Sequence, residues 1–331
     1  MRSTLEIRRG PRRGLVFRSQ RQLGGRLAVL IPAMMATSLA VAQSPYELRP
    51  GVLIDPVEER VFLMGPEGID AILLDLGTLA WHSEEAAMPL AFRKGNLVAL
   101  ADNQAFGELR LVVLDAKNGT VLEKVTVELP QAVLARPNDS LSSSFRIWAD
   151  RGRADRDTVQ LSWRFEHRVA QGLLPTGLTP PPRVESGSVL VHPPTGSAAR
   201  LLGRPEEPRR DVLAGESERL PGVPGRQFVS AEGIHILTSH RENNDSVWNK
   251  YRWTLYTRRG ERLGSLATHT SYASFSVIDS LLVYETRSFK RRLGGETVAF
   301  GPMVRAVALE SGIEQWARRL RETAYRGPYP P

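Results

Sequence analysis

Val307-Ala308-Leu309-Glu310-Ser311-Gly312-Ile313-Glu314-Gln315-Trp316 runs from a short apolar segment through a glycine turn to a tryptophan four residues beyond the glycine. A second copy lies near the start of the chain: Leu74-Asp75-Leu76-Gly77-Thr78-Leu79-Ala80-Trp81, with Asp75, Gly77 and Trp81 in the corresponding places. Three further turns keep the glycine without the tryptophan: Leu114-Asp115-Ala116-Lys117-Asn118-Gly119, Val191-His192-Pro193-Pro194-Thr195-Gly196 and Tyr256-Thr257-Arg258-Arg259-Gly260. Beyond Gly119, Gly196 and Gly260 the fourth residue is Glu123, Arg200 and Gly264. Glycine reaches the positive φ that closes such turns without steric cost, and Asn118-Gly119 is a hairpin signal in its own right.

Outward from these turns the hydrophobic period is two. Val159, Leu161, Trp163 and Phe165 alternate with Gln160, Ser162, Arg164 and Glu166, the pattern of a half-buried strand. Tyr251, Trp253 and Leu255 repeat it, and short apolar runs bounded by turn residues recur throughout. The unit is a strand, a loop, a strand entering the glycine turn, and a strand leaving it. Units opening near Val61, Leu97, Phe145, Gly233 and Leu281 are separated by 36, 48, 88 and 48 residues. A propeller blade takes ~40–50 residues, so the long step is two blades or one blade carrying an insertion. The expected fold is all-β, a propeller of about five to seven four-stranded blades, with five units visible and room for a hidden sixth.

The two complete units resemble the repeat of the pyrroloquinoline-quinone-like (quinoprotein-like) β-propellers, whose consensus runs Ala-Leu-Asp-x-x-Thr-Gly-x-x-x-Trp. In that family the tryptophan docks between neighbouring blades, which implies docking roles for Trp81 and Trp316. It also implies turn roles for Asp75, Gly77, Asp115, Gly119, Gly196, Gly260 and Gly312. The middle units depart from the consensus. The family includes quinone-dependent alcohol dehydrogenases, which hold their quinone with a vicinal disulfide and a calcium site of Glu, Asn and Asp. It also includes non-catalytic scaffolds such as the barrel-assembly lipoprotein of the outer membrane. This chain has no cysteine and no recognisable calcium set, so the expectation is no cofactor, pyrroloquinoline quinone included, and no metal.

Charge is distributed unevenly over the 331 residues. Residues 1–42 carry eight arginines and one acid, holding seven of the eight net positive charges, and the remaining body is close to neutral. A nucleic-acid partner is therefore not expected. After Arg26 comes an apolar run, Leu27 to Ala36, and then Ala40-Val41-Ala42 before Gln43, the order of a secretory signal with a small-x-small cleavage site. The expected organisation is a signal peptide over 1–42, a propeller over 43–324 and a proline-rich tail over 325–331. The apolar run falls short of the ~20 residues that span a bilayer, so no membrane span is expected after cleavage. Arg12-Arg13 sits far from the apolar run, which favours general secretion over twin-arginine export. Without cysteine there is no lipid anchor at the cleavage site and no disulfide framework.

The search for chemistry is mostly negative. No phosphate loop, dinucleotide fingerprint or nucleophile elbow occurs. His235 and His240 are five apart, so on one strand they face opposite ways and cannot share a metal. Asp150, Asp155 and Asp157, interleaved with Arg151, Arg153 and Arg156, read as a charged hairpin tip with internal pairing. Glu84-Glu85 read as loop acids with no evident partner. The catalytic set is unknown. The function expected is an exported, periplasmic or secreted, non-catalytic scaffold that binds a protein or cell-envelope component, itself a monomer within a complex. The alternative is a periplasmic hydrolase or lyase, or a quinoprotein-like enzyme, with acids gathered at the central channel.

Overall fold

Strand patterning on this scale resolves into separate antiparallel sheets, because each short strand must pair locally and then bury both sheet faces against something else. The structure is a computed structural model that describes residues 46–136, 143–150, 157–167, 183–201, 219–242, 250–270, 274–286, 288–293 and 295–321. Residues 1–45 and 322–331 lie outside these, and with them the expected signal peptide over 1–42 and the expected tail over 325–331.

Five sheets follow one another along the chain as propeller blades. Blade 1 contains β1 (Tyr46–Arg49), β2 (Val52–Asp55), β3 (Arg60–Met64), β4 (Ile69–Leu73) and β5 (Leu79–Ser83). Blade 2 contains β6 (Ala86–Arg93), β7 (Asn96–Ala101), β8 (Glu108–Asp115) and β9 (Val121–Glu128). Blade 3 contains β10 (Ser143–Ala149), β11 (Val159–His167), β12 (Arg183–His192) and β13 (Ser197–Leu201). Blade 4 contains β14 (Arg226–Val229), β15 (His235–Glu242), β16 (Lys250–Thr257) and β17 (Arg262–Thr268). Blade 5 contains β18 (Phe275–Ile278) and β19 (Leu281–Thr286), then an inserted hairpin of β20 (Phe289–Leu293) and β21 (Glu296–Phe300), and then β22 (Met303–Ala308) and β23 (Glu314–Arg319). Each blade is a meander of sequential neighbours, and blade 1 carries an extra first strand, β1, on the free edge of β2.

One sequence expectation is corrected. The units marked at Val61, Leu97, Gly233 and Leu281 begin one strand too late, since β2, β6, β14 and β18 precede them as the first strands of those blades. The long step is one blade with extended connections, so the described residues form five blades and no sixth. The segment after Ile313, which could also pass for a short helix, is strand β23.

The core lies between blades rather than within any one of them. Phe62, Ala71 and Trp81 of blade 1 meet Leu97, Val112 and Leu114 of blade 2. Leu100, Leu111 and Val113 of blade 2 meet Ile147, Leu161 and Trp163 of blade 3. Phe228, Leu237 and Trp253 of blade 4 meet Phe275, Leu282 and Tyr284 of blade 5. Val283, Val304 and Trp316 of blade 5 then meet Ile54, Val61 and Ile72 of blade 1, so the last blade packs on the first. A sheet sandwiched in this way sheds apolar surface on both faces, at roughly 25 cal/mol per Å² removed from water.

Candidate functional site

The five turn glycines share one backbone solution. Gly77, Gly119, Gly196, Gly260 and Gly312 have φ of 63°, 75°, 62°, 85° and 66°. Their amides close the turns by donating to Leu73 O, Asp115 O, Pro193 O, Thr257 O and Ala308 O respectively. Asp75 and Asp115 stiffen two of these turns, their Oδ1 atoms accepting from Leu76 N and Lys117 N at 2.8 Å each. A register shift precedes the turn in blades 1, 2, 4 and 5. It leaves Ala71 opposite Trp81, Val113 opposite Glu123, Leu255 opposite Gly264 and Ala306 opposite Trp316.

Residues at this fourth place after the glycine all reach the next blade, where their side chains are described. The Trp316 indole covers Gly77 and donates from Nε1 to Leu74 O at 2.6 Å. The Trp81 indole covers Gly119 and donates to Ala116 O at 2.9 Å. In both cases the acceptor lies three residues before the glycine. A Cβ on Gly77 or Gly119 would stand only 2.2 or 2.6 Å from an indole carbon, so no larger residue fits either position as the blades stand. Glu123 lays its aliphatic stem over Gly196 in the same way. Gly264 brings bare backbone against Leu309 of blade 5, with a Cβ there placed 2.8 Å from Leu309 O. Arg200 stands opposite Val189 in β13.

Turns between first and second strands lie on the same face as the glycine turns, and backbone bonds tie them together. Leu74 N donates to Glu59 O, Ala116 N to Gly95 O and Leu309 N to Ser280 O, at 2.8, 2.8 and 2.9 Å. Three non-glycine residues with positive φ, Glu59 (50°), Lys94 (48°) and Asp279 (51°), occupy this face. The opposite face carries the links between second and third strands and between blades, Asp102–Gly107 between β7 and β8 among them.

Among the described residues, seven of the ten exposed large apolar ones belong to the turn face. Val57, Leu76, Ile234 and Ile313 are on the turns or beside them, and Leu79, Leu122 and Leu263 stand where outer strands begin. Nothing in a propeller's own packing calls for apolar groups there, because the blade interfaces already bury the core.

A buried polar cluster joins blades 4 and 5 on this face. Glu232, on the β14–β15 turn with its side chain 3% exposed, meets His235 Nδ1 at 2.6 Å. It also accepts from Ser276 Oγ at 2.7 Å and Val277 N at 3.2 Å, both in β18 of the next blade. Burial pushes the Glu232 carboxyl upward, and hydrogen bonds from His235, Ser276 and Ser230 outweigh it, holding the group below its ordinary value. In blade 1 the balance reverses at Asp55. Its burial outweighs the amides of Val57 and Glu58 and raises the carboxyl, and its Oδ2 is buried without a partner.

The tip acids are placed differently from the sequence reading. Asp150 accepts from Gln160 Nε2 and Ser162 Oγ, both at 2.6 Å, and Asp157 pairs with Lys94 of blade 2. Asp155 and the three arginines lie outside the described residues. Glu85, expected to have no partner, pairs with Lys124 at 2.8 Å. His235 and His240 do share one strand at opposite parity. No group of three or more acids and histidines able to hold a metal occurs among the described residues.

Neither protein-family models nor the sequences of curated proteins give a match. Solved structures give distant matches. One is Kuenenia stuttgartiensis hydrazine synthase, at 12% identity over 75% of this chain and 70% of that one, with a TM-score of 0.26. The AtxE2 isopeptidase in its apo form matches at 12% identity over 87% of this chain, with a TM-score of 0.33, and this match spans 52% of that protein. Pseudomonas brassicacearum lignostilbene dioxygenase matches at 10% identity over 87% of this chain and 75% of that one, with a TM-score of 0.23.

Proposed function

We propose that this protein is an exported, non-catalytic propeller of the quinoprotein-like type that binds a protein of the cell envelope through its turn face. The observation that carries this reading is the concentration of exposed Val57, Leu76, Leu79, Leu122, Ile234, Leu263 and Ile313 on one face. Apolar groups gathered on a surface mark sites of association. The basic leader and its Ala40-Val41-Ala42 boundary support export, and the near-neutral body supports a partner other than nucleic acid. No helix among the described residues is long and apolar enough to cross a membrane.

Glu232 and His235 are the pair on this face that bears on the enzymatic alternative. The Ser276 hydroxyl donates to the carboxylate and not to the imidazole, so the three groups form no relay toward a nucleophile. Their contacts run from blade 4 to blade 5, which is the geometry of a clamp.

The test is site-directed photo-crosslinking in cells, with the reactive group at Ile313 on the turn face and at Phe106 on the opposite face. A discrete adduct from position 313 alone is expected. Monomer only, from both positions, would sink the proposal. Sequencing of the mature amino terminus should begin at Gln43.

A further inference from the structure

Four of the five blade junctions are closed by apolar clusters, and the junction of blades 3 and 4 has none among the described residues. Blade 3 commits Ile147, Leu161 and Trp163 to blade 2, and blade 4 commits Leu237, Trp253 and Leu255 to blade 5. Successive strand positions alternate between sheet faces, so the sides that blades 3 and 4 turn toward each other carry the opposite parity. Blade 3 brings Trp148, Ser162 and Ser188, which share one register row, and blade 4 brings Gln227, Ile236 and Thr238. Trp148 and Ile236 are buried yet belong to no cluster, and the other four are buried polar residues.

These polar groups bond on their own side of the junction. Ser162 Oγ donates to Asp150 at 2.6 Å and meets Ser188 Oγ at 2.8 Å, all within blade 3. Gln227 Nε2 donates to Leu220 O and Val223 O on the approach to β14, and Thr238 Oγ1 donates to Thr254 O within blade 4. At other junctions such bonds cross, from Trp81 to blade 2, from Ser276 of blade 5 to Glu232 of blade 4, and from Trp316 to blade 1. The turn glycines divide in the same way. Trp316, Trp81 and Glu123 cover Gly77, Gly119 and Gly196, and Ser265 and Leu266 stand beside Gly312. At Gly260, the turn that blade 3 would cover, a Cβ would meet nothing within 4 Å among the described residues. Parting blades 3 and 4 therefore breaks none of these bonds, and it gives the buried, unpartnered Nε1 of Trp148 a bond to water. Parting any other junction exposes a whole apolar cluster.

We propose that the ring opens reversibly at this seam in the native state, with blades 4, 5, 1, 2 and 3 remaining one packed arc whose two ends part. The device follows from which sheet faces are polar and stands apart from what the turn face binds. Opening separates the turn at Gly196 from the turn at Gly260, so a partner that spans both turns selects the closed ring.

The test is thiol labelling of the folded full chain with iodoacetamide, which is clean because the chain has no cysteine of its own. Ser162→Cys and Thr238→Cys place a thiol on either side of the seam, at positions 0% and 4% exposed. Ala99→Cys and Ala306→Cys place one at the apolar junctions of blades 1 and 2 and of blades 5 and 1, both 0% exposed. The two seam thiols should react about a hundredfold faster, the difference that exposing about 100 Å² less apolar surface makes to an opening equilibrium. Their rates should change little in urea below the unfolding midpoint, while the two control rates climb with global unfolding. Seam thiols that react no faster than the controls overturn the proposal, and so do four rates that rise together with urea. Should Ser162→Cys fail to fold, Ser188→Cys carries the same test from the other hydroxyl of the pair.

Discussion

Trp316→Ala removes the indole through which the last blade holds the first. The side chain is 7% exposed, lies among Val283, Val304 and Ile72, covers Gly77 and donates to Leu74 O. Deleting a buried tryptophan costs about 3–5 kcal/mol, of which the transfer of the ring and the cavity left behind are the larger part. Leaving Leu74 O without its donor falls within that sum at about 1 kcal/mol, so Trp316→Phe should cost about 1–2 kcal/mol, the hydrogen bond and part of the packing. For a chain of this size each kcal/mol shifts Tm by about 2–4 °C. The alanine variant should therefore melt about 6–20 °C lower by calorimetry, and the phenylalanine variant about 2–8 °C lower. Trp81→Ala removes the equivalent contact between blades 1 and 2 and serves as the internal standard. If Trp316→Ala shifts Tm by no more than Ile313→Ala, an exposed neighbour, the docking argument is refuted.

Three further predictions come from the same geometry. Gly119→Ala should cost several kcal/mol, because it combines a φ of 75° with a Cβ 2.6 Å from the Trp81 ring; Gly95→Ala, with a φ of 79° and open space, should cost only about 1–2 kcal/mol in urea unfolding. Glu232 has a lowered carboxyl, so its contribution is full above the ordinary value of 4.5 and is lost as pH falls through the lower folded value. Urea midpoints at about pH 7 and about pH 3.5 should thus differ more in the parent than in Glu232→Gln, and equal differences would refute the clamp. Asp55 has a raised carboxyl, so ionising it opposes folding as pH rises. Asp55→Asn keeps an oxygen for the amides of Val57 and Glu58 and should be neutral or stabilising near pH 7, whereas Asp55→Ala should lose about 1 kcal/mol.

Turns and docking positions were legible because they are local. The glycines need positive φ, the tryptophans follow at fixed spacing, and both facts sit within ten residues. First strands were not legible in blades 1, 2, 4 and 5, whereas β10 of blade 3 was marked at Phe145. β2 is buried at every position and β6 at its first six, so neither alternates, and Pro89 in β6 argues against a strand by residue type. The repeat is consequently one strand out of phase in those four blades. The Glu232 cluster was invisible for another reason. Its carboxylate meets Ser276 across 44 positions, a distance that only the stacking of blades closes. The same holds for Asp157 and Lys94, whose pairing crosses from blade 3 to blade 2.

The indole at Trp316 also sets an order of events. Its acceptor lies 242 residues earlier, in the first blade, so that blade keeps one unmatched apolar face until β23 has been made. Blades 1 to 4 can each form from neighbours, but the last closure is the contact of greatest sequence separation and carries the largest entropic delay. A nascent chain is thus held short of its native state by its own topology, with the seat at Gly77 exposed. Any chaperone that recognises this protein during synthesis should act on blade 1, and should be released when β23 arrives.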